Sequence, residues 1–94
     1  MAKILIRRNI PLDSQDHVMD LLNRMRSIAV TRPGYIHGES LKRLDMPGEI
    51  LVISSWQSVR DWENWVSNPE RLEIQEKIDF LLGEETQYEV YEYI

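Results

Sequence analysis

The sequence has no cysteine, which excludes disulfide bonds, a thiol nucleophile and a thiolate metal site. It also lacks any apolar stretch long enough to cross a membrane. Residues 1–13 are briefly apolar, but charges follow at once and no small-residue cleavage site appears, which favours a strand over a signal peptide. We therefore expect a cytoplasmic protein that has no membrane partner.

Positive charge is also scarce. The chain carries 11 Lys and Arg residues against 16 Asp and Glu, a net charge of −5, which argues against nucleic acid as its main partner. Its 94 residues are the length of one domain, which predicts a single unit over 1–94. The charge is unevenly spread, because residues 1–45 are net +3 and residues 46–94 are net −8.

Hydrophobic periodicity predicts four strands and three helical segments. The strands cover 2–9, 34–44, 49–56 and 86–94, and the helices cover 14–31, 58–67 and 69–82. Ser58 and Asn68 are candidate N-caps and Pro69 occupies a favoured first helical position, so the second helical region is predicted to break in two. The order is β-α-β-β-α-β, the ferredoxin-like α+β fold, with an antiparallel four-stranded sheet in the order 4-1-3-2 and the helices on one face.

Charge complementarity supports the pairing of strand 4 with strand 1. The basic side chains of strand 1 are Lys3, Arg7 and Arg8, and the acidic ones in and near strand 4 are Glu85, Glu89 and Glu92. Opposite charges on neighbouring strands stabilise a sheet by roughly 0.2–1 kcal/mol per pair. We therefore expect these side chains to meet across the two strands.

Strand 3 is apolar at four successive positions, 50–53, so both faces of the sheet are apolar there. Helices on one side cover only one face, and a strand with a solvated face normally alternates. The pattern predicts a homodimer whose sheets pack face to face, a dimeric α+β barrel. The alternative is a monomer whose second face is shielded by the long C-terminal strand.

Several functions of this fold are disfavoured by the residues. An RNA-recognition motif needs stacking aromatics on its central strands, but strand 1 has none and strand 3 has only Trp56 at its end. The turn after strand 1 has no glycine and carries Asp13, which is unlike a phosphate-binding loop. His17 and His37 lie on different elements without a partner motif, so no metal site is predicted.

All three tryptophans fall within residues 54–75. Trp62 and Trp65 are three residues apart on a predicted helix and therefore share a face, while Trp56 ends the strand that leads into that helix. A tryptophan ring favours burial, and its N–H needs an acceptor. The cluster is either the core beneath the helix or the wall of a pocket, and the spacing alone leaves both open.

Four short motifs follow one another in residues 32–71: Pro33-Gly34-Tyr35 at the start of strand 2, Ser54-Ser55-Trp56 at the end of strand 3, Trp62 and Trp65 in the helix, and Asn68-Pro69-Glu70 at the next helix start. With these motifs in this order, the chain resembles the antibiotic biosynthesis monooxygenase family over nearly its whole length. The resemblance implies a homodimer with a pocket between sheet and helices in each protomer. It also implies oxidation of a small aromatic, phenolic or quinol-type substrate by dioxygen, with no cofactor.

The resemblance also implies which residues form the site. Asn9 and Trp65 are the expected catalytic pair, with Asn9 hydrogen-bonding the substrate oxygen and Trp65 walling the pocket. Turn formation at the end of strand 1 is the alternative for Asn9. The expected substrate-binding residues are Tyr35, Trp62, Arg71 and Gln75. For Arg71 the alternative is a solvated surface charge.

Haem-degrading relatives resemble this chain at Asn9 and Trp65, but they carry a histidine, the axial iron ligand, at the position of Gln75. Glutamine is a poor ligand for haem iron, so haem degradation is not expected. The predicted site also lacks a convincing acid–base residue. The competing hypothesis is therefore a non-catalytic dimeric module that binds a small ligand.

Overall fold

An antiparallel sheet of four strands carries all the helices on one of its faces. In the computed structural model, which describes residues 1–94, the strands are β1 (Ala2–Asn9), β2 (Tyr35–Lys42), β3 (Glu49–Trp56) and β4 (Tyr88–Glu92). The helices are α1 (Gln15–Ala29), α2 (Val59–Val66) and α3 (Pro69–Leu82), and a short 3-10 turn at Leu12–Ser14 precedes α1. The strand order β2-β3-β1-β4 confirms the predicted ferredoxin-like arrangement. None of the helices has the length and apolar character that crossing a membrane requires.

The last strand is shorter than the sequence predicts. β4 begins at Tyr88, whereas the prediction started it at 86. The Thr86 hydroxyl donates to Asp79 Oδ1 at 2.6 Å and so ties this residue to α3 instead of to the sheet.

The predicted break between α2 and α3 is confirmed. Asn68 Oδ1 accepts hydrogen bonds from the backbone N–H groups of Glu70 at 2.9 Å and Arg71 at 3.3 Å, which satisfies two free donors at the start of α3. Pro69 occupies the first position of α3, where its missing N–H costs nothing. The tryptophans of the helical region therefore lie on α2, and the next polar residues lie on a separately capped helix.

Strand alternation divides the sheet into a helix-covered face and an open face. On β1 the side chains at even positions are buried beneath the helices, namely Ala2, Ile4, Ile6 and Arg8. The odd positions, Lys3, Leu5, Arg7 and Asn9, are half-buried or exposed. Because successive residues of a strand point to opposite faces, Arg8 and Asn9 are assigned to different sides of the sheet.

The expected charge pairs between β1 and β4 form only in part. Arg7 makes an ion pair with Glu89, and both side chains are largely exposed, so the pair contributes little stability. Lys3 lies over the ring of Tyr93, with its Nζ 5.6 Å from the ring centre. The expectation for Arg8 is wrong, because its even position turns the side chain away from the acids and into the interior.

Both faces of β3 are apolar, as its sequence predicts. Ile50 and Val52 pair with Arg8 and Ile6 of β1 and pack against the core beneath the helices. The alternate positions 51 and 53 lie on the open face, where Leu51 and Ile53 are half-buried. This chain places no helix over that apolar surface.

Candidate functional site

A cavity of about 70 Å³ lies between the sheet and the helices, and it opens to the surface at one side. Four aromatic side chains contribute to its wall, together with aliphatic residues of the core. The aromatic residues are Tyr35, Trp56, Trp62 and Trp65. The structure thus brings four residues of the predicted site to one chamber, namely Tyr35, Trp62, Trp65 and Arg71.

Trp56 is the centre of the aromatic cluster. Its ring centre lies 5.4 Å from that of Tyr35 and 6.0 Å from that of Trp62, both edge-to-face, and 6.4 Å from that of Trp65, stacked. Its Nε1–H donates to Ser54 Oγ at 3.1 Å, which satisfies the one polar atom of the ring. The cluster is therefore core and cavity wall at once, because the buried rings also line the chamber.

Two glycines let the loop and strand near Tyr35 approach their neighbours. Gly34 has a φ of +84°, and a Cβ built there would lie 2.3 Å from the carboxylate of Asp61. At Gly38 a Cβ would lie 2.5 Å from the Tyr35 hydroxyl oxygen. The Tyr35 side chain therefore lies along its own strand, with its hydroxyl beside Gly38 and its ring beside Trp56 at the cavity.

Arg71 is the most deeply buried charged residue, at 1% exposure. The carbon of its guanidinium group lies 5.2 Å from the ring centre of Tyr88, 5.6 Å from Trp62 and 5.9 Å from Trp65. Aromatic faces attract cations at such distances, so these rings stabilise the charge. Its Nη2 also donates to the Tyr88 hydroxyl at 2.8 Å. Arg71 lines the cavity, and the alternative of a solvated charge is wrong.

Arg8 is a cavity residue that sequence reasoning missed. Its side chain is 3% exposed and its Nη2 donates to Gln75 Oε1 at 3.0 Å. Burial is the main cause that lowers the pKa of Arg8 to about 10, and the neighbouring Arg71 charge adds to the effect, so Arg8 remains a cation at neutral pH. The sequence signal that could have found it is its even position on β1, which places Arg8 on the same face as the buried Ile4 and Ile6.

Gln75 lies behind the two arginines. Its Oε1 accepts from Arg8, and from Arg71 Nη2 at 3.4 Å, while its Nε2 donates to Asp79 Oδ1 and Thr86 Oγ1, each at 2.7 Å. Gln75 is buried and does not line the cavity. Both ends of the amide are occupied, so Gln75 orients the two guanidinium groups, and its predicted contact with substrate stays a prediction.

Asn9 does not reach the cavity. It is exposed at the end of β1, on the face opposite to Arg8, and its Oδ1 lies 3.2 Å from the position a Cβ at Gly48 would take. The structure does not bring Asn9 and Trp65 together, because one residue along a strand reverses the face. Its position beside the β2–β3 turn matches the alternative of a turn residue.

Glu39 is the one carboxylate residue that borders the cavity, and its strand position, paired with Ile53, turns its side chain to the open face of the sheet. His17 and His37 both lie outside the cavity, and both are exposed. No cluster of three or more His, Cys, Asp and Glu side chains could hold a metal ion. The chamber offers apolar walls, aromatic faces and guanidinium donors, an arrangement that binds and orients a ligand.

An antiparallel ferredoxin-like sheet with an aromatic cavity under its helices defines the structural class of this chain, a small α+β domain. The chain belongs to the antibiotic biosynthesis monooxygenase family, whose model matches residues 1–77. The match includes β1, the helices up to most of α3, and every residue that lines the cavity.

Relatives of known sequence or structure agree with this membership. Protein SchA of Streptomyces halstedii is 26% identical over 73 residues, which cover 78% of this chain and 19% of SchA, so the chain spans about a fifth of that relative. A conserved protein from Methanosarcina mazei superposes with a TM-score of 0.91 at 14% identity, covering 99% of this chain and 92% of the other. SnoaB, a cofactor-independent oxygenase from Streptomyces nogalater, superposes with a TM-score of 0.81 at 12% identity, covering 99% and 92%. The structural likeness shows the fold.

Proposed function

We propose that this protein is a monooxygenase that uses dioxygen without a cofactor to oxidise a small phenolic or quinol-type aromatic substrate in the cavity. The observation that carries the proposal is the enclosure of the chamber by Tyr35, Trp56, Trp62 and Trp65. Stacked and edge-on aromatic rings bind a flat aromatic substrate and exclude water from a reactive intermediate. Family membership and the fold shared with SnoaB, a cofactor-independent oxygenase, support this reaction class.

The proposed reaction converts an activated methylene group, whose enol form is a phenol, into a carbonyl. Two C–H bonds break, one atom of dioxygen forms the new C=O bond, and the other leaves as water with the two hydrogens. The substrate supplies all four electrons that reduce dioxygen. The protein's part is to hold the deprotonated substrate, exclude water and keep the reacting carbon accessible to dioxygen.

The size of the cavity limits what it encloses. A closed apolar cavity of about 150 Å³ holds one benzene molecule, and this chamber measures about 70 Å³. The chamber therefore accommodates part of one ring and its polar substituent, and any larger substrate extends through the open side. Single-ring and two-ring substrates fit this geometry better than a fully enclosed polycycle.

A non-catalytic ligand-binding module is the second candidate. It is favoured by the orientation of Glu39, the one carboxylate residue that borders the chamber, because its strand position turns it to the open face and general-base catalysis needs a base within hydrogen-bond reach. Such a module quenches tryptophan fluorescence on ligand binding but consumes no oxygen. Oxygen consumption therefore separates the two candidates.

Oxygen uptake with a panel of hydroquinones and anthrones tests the enzymatic proposal. We expect uptake by the wild type and a loss of roughly tenfold or more in Trp65→Phe, because a smaller ring displaces the bound substrate. Phe80→Leu is the matched control, since Phe80 is 86% exposed on α3, and it should retain full uptake. If the oxygen electrode records only the uncatalysed rate of oxygen consumption with every substrate, the enzymatic proposal is wrong and the ligand-binding module is favoured. Loss of oxygen uptake in Asn9→Ala would support the predicted catalytic role of Asn9.

We also propose that two copies pack through the open face of the sheet. Leu51 and Ile53 lie at its centre on β3, and Leu5 and Leu41 lie on the flanking strands. A contiguous apolar surface of this kind is unusual on a monomer and typical of a subunit interface. The self-association is the homodimer that family resemblance implies.

Sedimentation tests the proposed dimer. The wild type is expected to sediment as a dimer and Ile53→Lys as a folded monomer, because a lysine on the open face meets its own copy across the two-fold axis. Leu72→Lys is the control, since Leu72 is 49% exposed on α3, away from the sheet, and the dimer should persist. A monomeric wild type at micromolar concentration would contradict the proposal.

A further inference from the structure

Two guanidinium groups converge at one end of the cavity without a carboxylate between them. Arg8 and Arg71 are 97–99% buried and both line the cavity. Each donates to the same atom, Gln75 Oε1, so the two charges lie side by side. Three of their nitrogens, Arg8 Nε, Arg71 Nε and Arg71 Nη1, are sealed from solvent and have no acceptor in the protein.

The surrounding charges do not neutralise this pair. Neither arginine forms a salt bridge with a carboxylate, and Asp79 acts on Arg8 only at a distance and through Gln75, whose Nε2 donates to Asp79 Oδ1. The other charged residues that line the chamber are Arg26 and Glu39. Arg26 donates to the Gly38 carbonyl at 2.9 Å, and the strand position of Glu39, next to inward-facing Gly38, turns its side chain to the open face. The chamber is thus positive within a chain of net charge −5.

Buried charges are normally paired, because removal from water without a counter-charge is unfavourable. Tyr88 and the indole rings stabilise Arg71 in part, but they supply no anion. Arginine presents a planar set of donors that suits the oxygens of a carboxylate or phenolate. The missing partner is therefore expected to arrive with the ligand.

We propose that the cavity selects an aromatic ligand carrying one acidic oxygen group, a carboxylate or a phenolate, which binds between Arg8 and Arg71 while its ring lies against the tryptophans. This inference rests on the proposed function for its location, and it adds the charge of the substrate. It also accounts for the absence of a base. Two adjacent cations favour the ionised form of a bound phenol, so its proton leaves to solvent and no side chain needs to accept it.

Three small probes, which separate the ring from the charge, test the selection in the wild-type protein. Benzoate carries the ring and the charge, benzamide the ring alone, and acetate the charge alone. We expect benzoate to quench tryptophan fluorescence with an affinity at least tenfold higher than that of benzamide or acetate. Equal or tighter binding of benzamide would overturn the role of the charge, and equal binding of acetate would overturn the role of the ring.

Two variants assign the effect to the arginines. Arg8→Gln and Arg71→Gln should each lower the affinity for benzoate about tenfold and leave benzamide unchanged. Circular dichroism establishes whether each variant folds, and the wild-type probe series decides the proposal where one does not. A benzoate affinity unchanged in both folded variants would overturn the assignment.

A chromogenic phenol reads out the ionised state directly. p-Nitrophenol is yellow only as the phenolate, so binding below its ordinary pKa should generate yellow colour in proportion to bound ligand. A bound but colourless phenol would overturn the effect on ionisation. If the protein prefers anionic ligands but consumes no oxygen, this inference holds and the proposed monooxygenase activity is wrong. If it consumes oxygen with neutral substrates and shows no preference for anions, the monooxygenase activity holds and this inference is wrong.

Discussion

Trp56→Ala is expected to lower the free energy of unfolding by about 3–5 kcal/mol, the range for removing a large buried aromatic side chain. Trp56 is 1% exposed and packs against Tyr35, Trp62 and Trp65, so its loss opens a void that three other rings border. A small domain is stabilised by only about 5–15 kcal/mol in total. The variant should therefore unfold at a much lower urea concentration, with tertiary-structure signals lost near room temperature.

Phe80→Ala is the control for Trp56→Ala. It also truncates an aromatic side chain, but Phe80 is 86% exposed, so urea denaturation should show a change within about 0.5 kcal/mol. Comparable losses in the two variants would mean that the aromatic cluster does not supply the stability we assign to it.

Gly34→Ala is expected to destabilise the protein by about 3 kcal/mol, through backbone strain and a steric clash. The φ of +84° disfavours any side chain, and the new Cβ would overlap the Asp61 carboxylate. Asp61 also accepts a hydrogen bond from the Ser58 hydroxyl at 2.9 Å, at the start of α2. Moving Asp61 therefore disturbs the first turn of the helix that carries Trp62 and Trp65.

Gly83→Ala separates the two contributions to the cost at Gly34. Gly83 also has a positive φ, +71°, at the end of α3, but a Cβ there has no neighbour within 4 Å. Its substitution should cost only about 1 kcal/mol, the backbone part alone. Thermal unfolding of both variants provides the comparison. Equal decreases in Tm would show that the close approach of Gly34 to Asp61 does not contribute to the destabilisation.

The order of elements and the break between the last two helices could be predicted because their signals are local. Asn68 and Pro69 act on the adjacent turn, and the periodicity of α1 repeats over several turns, so neither depends on distant packing. The same holds for β3, where consecutive apolar residues already indicate two apolar faces. The predicted sheet order followed from this element order.

The assignment of faces on β1 could not be predicted with the same security. Leu5 is apolar between Ile4 and Ile6, so the alternation is blurred and the residues alone do not show whether Arg8 or Asn9 points inward. A change of one residue in that parity exchanges every side chain between the two faces. Family resemblance selected Asn9 and the charge pattern placed Arg8 outside, whereas the observed burial of Ala2, Ile4, Ile6 and Arg8 requires the opposite.

The role of Gln75 was hidden for a different reason. Its hydrogen-bond partners come from β1, from α3 and from the segment before β4. Such a network joins residues up to 67 positions apart, and no local pattern reports it. Only the assembled structure shows that the amide is occupied at both ends.

The helix boundary at Asn68 and Pro69 gives the chamber a modular construction. Trp62 and Trp65 belong to one rigid piece, and Arg71 belongs to the next, each with its own cap. The rings of the first helix nevertheless lie against the guanidinium group of the second, 5.6 Å and 5.9 Å away. A shift of one helix relative to the other would therefore change the shape of the chamber and the surroundings of the Arg71 charge together.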